Sequence, residues 1–117
     1  MSVIGDLVDG ALGALAAAGV AATADPDLVG QMVAAHGAVA VVLPPEVEGR
    51  SMGGSLDARL DVMLLGAPPG GLAQFQAIWD SLLPTMDALH IAEAVRATFA
   101  FGRLTYPGYL LSTQTST

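Results

Sequence analysis

The sequence contains no cysteine, no lysine and little charge of either sign. The lack of cysteine excludes disulfides, zinc sites built on thiolates and cysteine nucleophiles. All four positive side chains are arginines (Arg50, Arg59, Arg96 and Arg103), and 11 acidic residues bring the net charge to −7. Sequence-reading nucleic-acid binders and polybasic lipid binders both need clustered positive charge. We therefore expect neither function.

Long hydrophobic runs are also missing, although a membrane span needs about 20 consecutive apolar residues. The segment 3–24 is interrupted by Asp6 and Asp9, and the segment 28–43 is too short and contains Gln31 and His36. Without a positively charged N-terminal region, a secretory signal is not expected either. Charged residues make up only 13% of the chain while 53% is apolar, so we expect other protein subunits to cover part of its surface.

Periodicity in the first half predicts one helix, a second helical turn and one strand. Apolar residues at spacings of three and four predict a helix over residues 3–18 that ends at Gly19. Asp25-Pro26 is typical of a helix start, and a short helical turn is expected over residues 28–34, before Gly37. The β-branched run 38–43 predicts a strand, which after Pro44-Pro45 can continue only at a sheet edge.

The second half predicts a hairpin partner, a long helix and two further strands. A glycine- and serine-rich connection at 49–55 leads to residues 56–64, whose strict alternation predicts a strand with one apolar and one charged face. Residues 72–90 repeat at helical spacing, and 93–101 alternate again. A turn at Tyr106–Tyr109 then predicts a final strand from Leu110 to Thr115. The aromatic residues Phe75, Trp79, Phe99 and Phe101 have the spacing of core positions.

Together these patterns predict a single α+β domain over residues 1–117. The expected architecture is a mainly antiparallel sheet of about four strands, with two helices packed on one face and a long β-hairpin. The expected order of elements is α-β-β-α-β-β.

Motifs that carry chemistry are weak throughout the chain. His36 and His90 each lie alone at the end of a predicted helix, which favours a structural role over metal binding. The acidic pairs Glu46/Glu48 and Asp57/Asp61 occupy strand faces of the kind that water usually covers. No nucleotide-binding loop or nucleophile elbow occurs. We predict no enzyme activity, no catalytic, cofactor-binding or metal site, and no cofactor.

The candidate interface residues therefore lie on the predicted hairpin, where another protein can contact them. Arg50 and Met52 lie at its tip and are of types enriched in protein interfaces. Arg59 and Met63 lie on the face of the strand opposite the predicted core. An ordinary solvated loop and strand face would explain these four residues equally well.

An ordered series of segments covers nearly the whole chain. They are Gly19-Val20, 22–26 leading into 39–45, the long hairpin with 56–65, Ile78–Leu83, 97–103 and Tyr106–Leu110. In this order the segments resemble the tail terminator (minor tail) proteins of long-tailed bacteriophages, especially those of actinobacterial hosts.

The resemblance implies a structural virion protein assembled in the host cytoplasm. Such a protein forms a hexameric ring at the head-proximal end of the tail, caps the tail tube, stops its polymerisation and joins the tail to the head connector. DNA would pass through the acidic ring without sequence-specific binding. The alternatives are another head–tail connector, a stopper or a tail completion protein. A small ligand-binding α+β domain is a further alternative from a different class.

Overall fold

A computed structural model of the chain describes residues 3–50, 56–68, 71–101 and 103–116. The elements within these ranges are α1 (Val3–Ala17), β1 (Ala22–Thr23), a 3-10 turn (Pro26–Leu28), α2 (Val29–His36), β2 (Ala38–Val42), β3 (Glu46–Arg50), β4 (Leu56–Gly66), α3 (Leu72–Leu89), β5 (Ala94–Phe101) and β6 (Leu104–Ser116).

The ends of the first two helical segments follow the predicted local signals. The Asp25 carboxylate accepts a hydrogen bond from the Asp27 backbone N–H at 3.0 Å, and Pro26 occupies the first position of the 3-10 turn. Gly37 ends α2 with a φ of 82°, and Gly19 follows α1 with a φ of 78°. Both glycines adopt the left-handed conformation that stops a helix at little steric cost.

The strands form one six-stranded sheet in the order β1-β2-β4-β6-β5, with β3 paired to the remaining length of β4. β1 is parallel to β2, and the other pairs are antiparallel. β2 and β3 follow one another along the same side of β4, separated by Pro44 and Pro45. The hairpin is therefore long, and the molecule measures 49 × 28 × 23 Å.

Helices cover both faces of the sheet, and a hydrophobic core lies on each face. The side chains of β4 alternate between these two cores. Leu60, Val62 and Leu64 belong to a cluster with α1 and α3, whereas Met63 and Leu65 belong to a second cluster with α2. α2 lies over the second face because Val29 and Val33 pack against β2 and β4 there. Both faces of β2 are consequently buried along its whole length.

The predicted fold class is wrong in four respects. Within the described ranges there are three α-helices rather than two and six strands rather than about four, and the sheet is mixed. The helices also occupy both faces instead of one. Two-residue β1 is too short to show any periodicity, and its parallel partner is chosen by tertiary packing. Pro44 and Pro45 interrupt the strand pattern, so the sequence does not show that β2 and β3 both pair with β4.

The predicted turn at Tyr106–Tyr109 is also wrong. β5 ends at Phe101 and β6 begins at Leu104, so β6 runs straight through Pro107 and Gly108 in the interior of the sheet. Tyr106 is buried there, with 4% of its surface exposed. The glycine is required by close packing, because a Cβ on Gly108 would lie 2.8 Å from the Cα of Leu65 in the neighbouring strand.

Candidate functional site

Arg59 is the centre of a polar network that ties three strands together at the base of the hairpin. Its guanidinium contacts the Glu46 carboxylate of β3 at 2.5 Å and the Asp61 carboxylate of its own strand at 3.4 Å. The Ser112 hydroxyl of β6 donates a hydrogen bond to the same Asp61 at 2.5 Å. The positive charge of Arg59 is thus already paired within its own chain.

The other three predicted interface residues have different positions. The backbone of Arg50 forms the last position of β3 and pairs with Leu56. Met52 lies outside the described residues. Met63 is buried beneath α2 with 6% exposure, so the prediction that it lies on an open face is wrong. The reason is that α2 covers this part of the face opposite α1 and α3. A role of Arg50, Met52 and Arg59 in an interface stays a prediction.

One end of the sheet is strand β5, which among the described strands pairs with β6 alone. Val95 and Leu104 remain 56% and 52% exposed at this end. Arg96 and Arg103 are exposed as well, and neither makes an ion pair within the part of the chain that the structure describes. We call this end of the sheet the β5 edge. It consists of Val95 and Arg96 in β5, together with Arg103 just before β6 and Leu104 at its start.

The opposite end of the sheet is acidic and also carries exposed apolar side chains. Because β1 is parallel to β2, the chain leaving Thr23 travels toward the end of β2, where β3 begins. Exposed residues of this end come from the 3-10 turn, its cap and the start of β3. We call them the β3 edge; they are Asp25, Asp27, Leu28, Glu46 and Val47.

A third apolar surface lies on the outer side of α3. Leu72, Trp79 and Leu83 are 67%, 44% and 66% exposed, and their spacing places them on one side of this helix. The spacing predicts that Trp79 lies in the core, and that prediction is wrong. Ile78, its neighbour in sequence, is fully buried, and so is Thr85. The helix carries apolar side chains around more of its circumference than the sheet can cover.

An open groove lies between α1 and α3, and most of the side chains that line it are apolar. Its volume is about 450 Å³, and Asp6, His90 and Thr113 contribute polar side chains among Leu7, Ala11 and Leu60. His90 ends α3 in the left-handed conformation, and His36 is the last residue of α2. Among the described residues, no three His, Cys, Asp or Glu side chains are grouped so that they could hold a metal ion.

The helices of the described part of the chain are all too short or too polar to cross a lipid bilayer. Comparisons with protein families, with curated proteins and with solved structures gave no match. The candidate functional features are thus surfaces, namely the two edges and the outer side of α3.

The sequence patterns missed most residues of these surfaces. Val95 belongs to an alternating run. Alternation alone does not distinguish an apolar side chain that a helix covers from one that stays exposed. On α3, one signal was available: eight apolar positions at 72, 75, 78, 79, 82, 83, 86 and 89 are more than one buried stripe requires.

Proposed function

We propose that this protein is a structural subunit that assembles with copies of itself into a ring, and that the ring terminates a bacteriophage tail. The observation that carries the proposal is the distribution of its exposed apolar side chains. They lie on both edges of the sheet and on the outer side of α3, in a chain of which only 13% is charged. Apolar surface that is spread over three sides of a small subunit favours contacts with several neighbours.

The size of these surfaces favours a closed ring over a simple pair. Burying the exposed half of a Val or Leu side chain contributes about 1 kcal/mol. Val95 and Leu104 on one edge with Leu28 and Val47 on the other would thus contribute about 3–5 kcal/mol to one contact. Loss of rotational and translational freedom costs about as much or more. A single contact is therefore weak, whereas ring closure gives every subunit two.

The assignment to a tail terminator comes from the ordered resemblance of segments described above. In that reading the ring is a hexamer, one axial face binds the tail-tube protein and the other binds the head connector. The net charge of −7 on each subunit repels phosphates, so DNA would pass through the lumen without being retained. The site of action is the head-proximal end of the virion tail.

Two measurements test the proposal. Mass photometry of the purified chain should give a mass near six subunits. Electron microscopy should then compare tubes assembled from the tail-tube protein of the same genome with and without this protein. We expect shorter tubes of limited length when it is present. Rings that bind head connectors but leave tube length unchanged would instead support a connector or stopper. A chain that stays monomeric at high concentration would overturn the ring altogether and favour a ligand-binding domain.

A further inference from the structure

The β5 strand has an open side that a partner strand can occupy. Its register with β6 runs without interruption from Ala94 to Phe101, and no strand of the described ranges pairs with its other side. Edge strands in natural proteins are commonly protected by shortness, charge, proline or a bulge. This one has eight residues, a single charged residue, Arg96, and no proline. Its backbone therefore presents unpaired donors and acceptors to a neighbour.

The charges of the two edges are opposite in sign. The β3 edge is built entirely from the first 49 residues, which contain no Lys or Arg. Within the described part of the chain, Asp25 and Asp27 have no ion-pair partner, and Glu46 pairs with Arg59. On the β5 edge, Arg96 and Arg103 are both exposed, and the nearest acid in the sequence is Glu93.

We infer that the β5 edge of one subunit binds the β3 edge of a second copy, and that this head-to-tail contact closes the ring. Each edge combines exposed apolar side chains with charges that the other edge complements. A contact between two unlike surfaces propagates in one direction and forms a closed ring when the rotation permits. A symmetric β5–β5 contact would place two positively charged edges against each other and leave the acidic edge uncovered. The inference rests on the proposed function.

Charge reversal tests the pairing. Arg96→Glu and Asp27→Arg each place like charges across the contact, and each variant alone should need at least about a tenfold higher concentration to form rings. An equal mixture restores opposite charges at every contact if subunits alternate, and has the average charge of the wild type. We expect rings to reappear in the mixture at wild-type concentration. Asp80→Arg, on an exposed position of α3, makes the same charge change as Asp27→Arg and should leave ring formation unchanged.

Chemical cross-linking gives a second measurement that does not depend on the charge variants. Because the chain has no cysteine, a thiol-specific bismaleimide reacts only where cysteine is introduced. Val47→Cys and Val95→Cys should each give no cross-linked dimer alone, and should cross-link when the two variants are mixed. Dimers formed by Val95→Cys alone would establish a symmetric contact and overturn the inference.

The outcomes separate this inference from the proposed function. Wild-type rings that persist unchanged in Arg96→Glu and in Asp27→Arg would overturn the contact while leaving the ring. A wild-type chain that forms no rings would overturn both. Circular dichroism of each variant verifies that its subunit is folded. If a charge variant is unfolded, the cross-linking result alone decides whether the two edges are in contact.

Discussion

The indole N–H of Trp79 donates a hydrogen bond to the hydroxyl of Tyr109 at 3.0 Å, between the outer side of α3 and strand β6. Phe75 lies beside both rings, with centroids 5.8 Å from Trp79 and 6.3 Å from Tyr109. Trp79 is thus half-exposed but held in one orientation by its neighbours. A large aromatic side chain in such a position is suited to an interface, because little side-chain entropy is lost when a partner binds.

This arrangement predicts unequal costs for two adjacent substitutions in α3. Ile78→Ala should lower the free energy of unfolding by about 2–5 kcal/mol, because it leaves a cavity at a fully buried position. Trp79→Ala should cost less, about 1–2 kcal/mol, from the lost hydrogen bond and ring contacts. Urea denaturation of both variants measures the difference. A larger loss for Trp79→Ala would mean that the tryptophan faces the core after all.

Glycine-to-alanine changes at two positions should have opposite effects. Gly108→Ala should cost more than about 3 kcal/mol, since the new methyl group collides with the backbone of the adjacent strand. Gly13→Ala, in α1, adds a methyl group to open space and should stabilise the subunit by up to about 1 kcal/mol. Thermal melting of the two variants provides the comparison. Equal melting temperatures would contradict the close β4–β6 packing at Gly108.

The network around Arg59 should contribute modestly and in a salt-dependent way. Glu46→Gln removes an ion pair whose side chains are 42% and 62% exposed, so the loss should be at most about 1 kcal/mol. Asp61→Asn should cost more, because the Asp61 side chain is only 20% exposed and serves both Arg59 and Ser112. Unfolding at low and high salt measures both. Screening should reduce the effect of Glu46→Gln more than that of Asp61→Asn.

Substitution on the outer side of α3 separates the folding of the chain from the proposed ring formation. Leu83→Ser removes a side chain that is 66% exposed, so the unfolding free energy should change by no more than about 0.5 kcal/mol. If rings close through the two sheet edges, their mass should also be unchanged. Mass photometry tests this directly. Loss of rings in this folded variant would show that α3 forms part of the contact between subunits.

Local signals in the sequence determined where α1 ends and where the second helical segment begins and ends. Helix caps act within a few residues, so Asp25-Pro26, Gly19 and Gly37 mark boundaries that hold in the folded chain. Alternation identified β4, because Asp57, Arg59 and Asp61 alternate with apolar residues, and the β-branched run 38–43 identified its antiparallel partner β2, which is buried on both faces.

Tertiary structure alone decided which face each side chain meets and what stays exposed. The burial of Met63 depends on α2, which packs against it although the two are far apart in sequence. The straight course of β6 through Pro107-Gly108 depends on its pairing with β4 and β5, against a local preference for a turn. The complementary charges of the two edges also depend on the order of the strands, since residues 25–28 and 95–104 become opposite ends only when β1 and β5 are outermost. Periodicity reports whether a side chain is apolar, and long-range contacts determine whether it is covered.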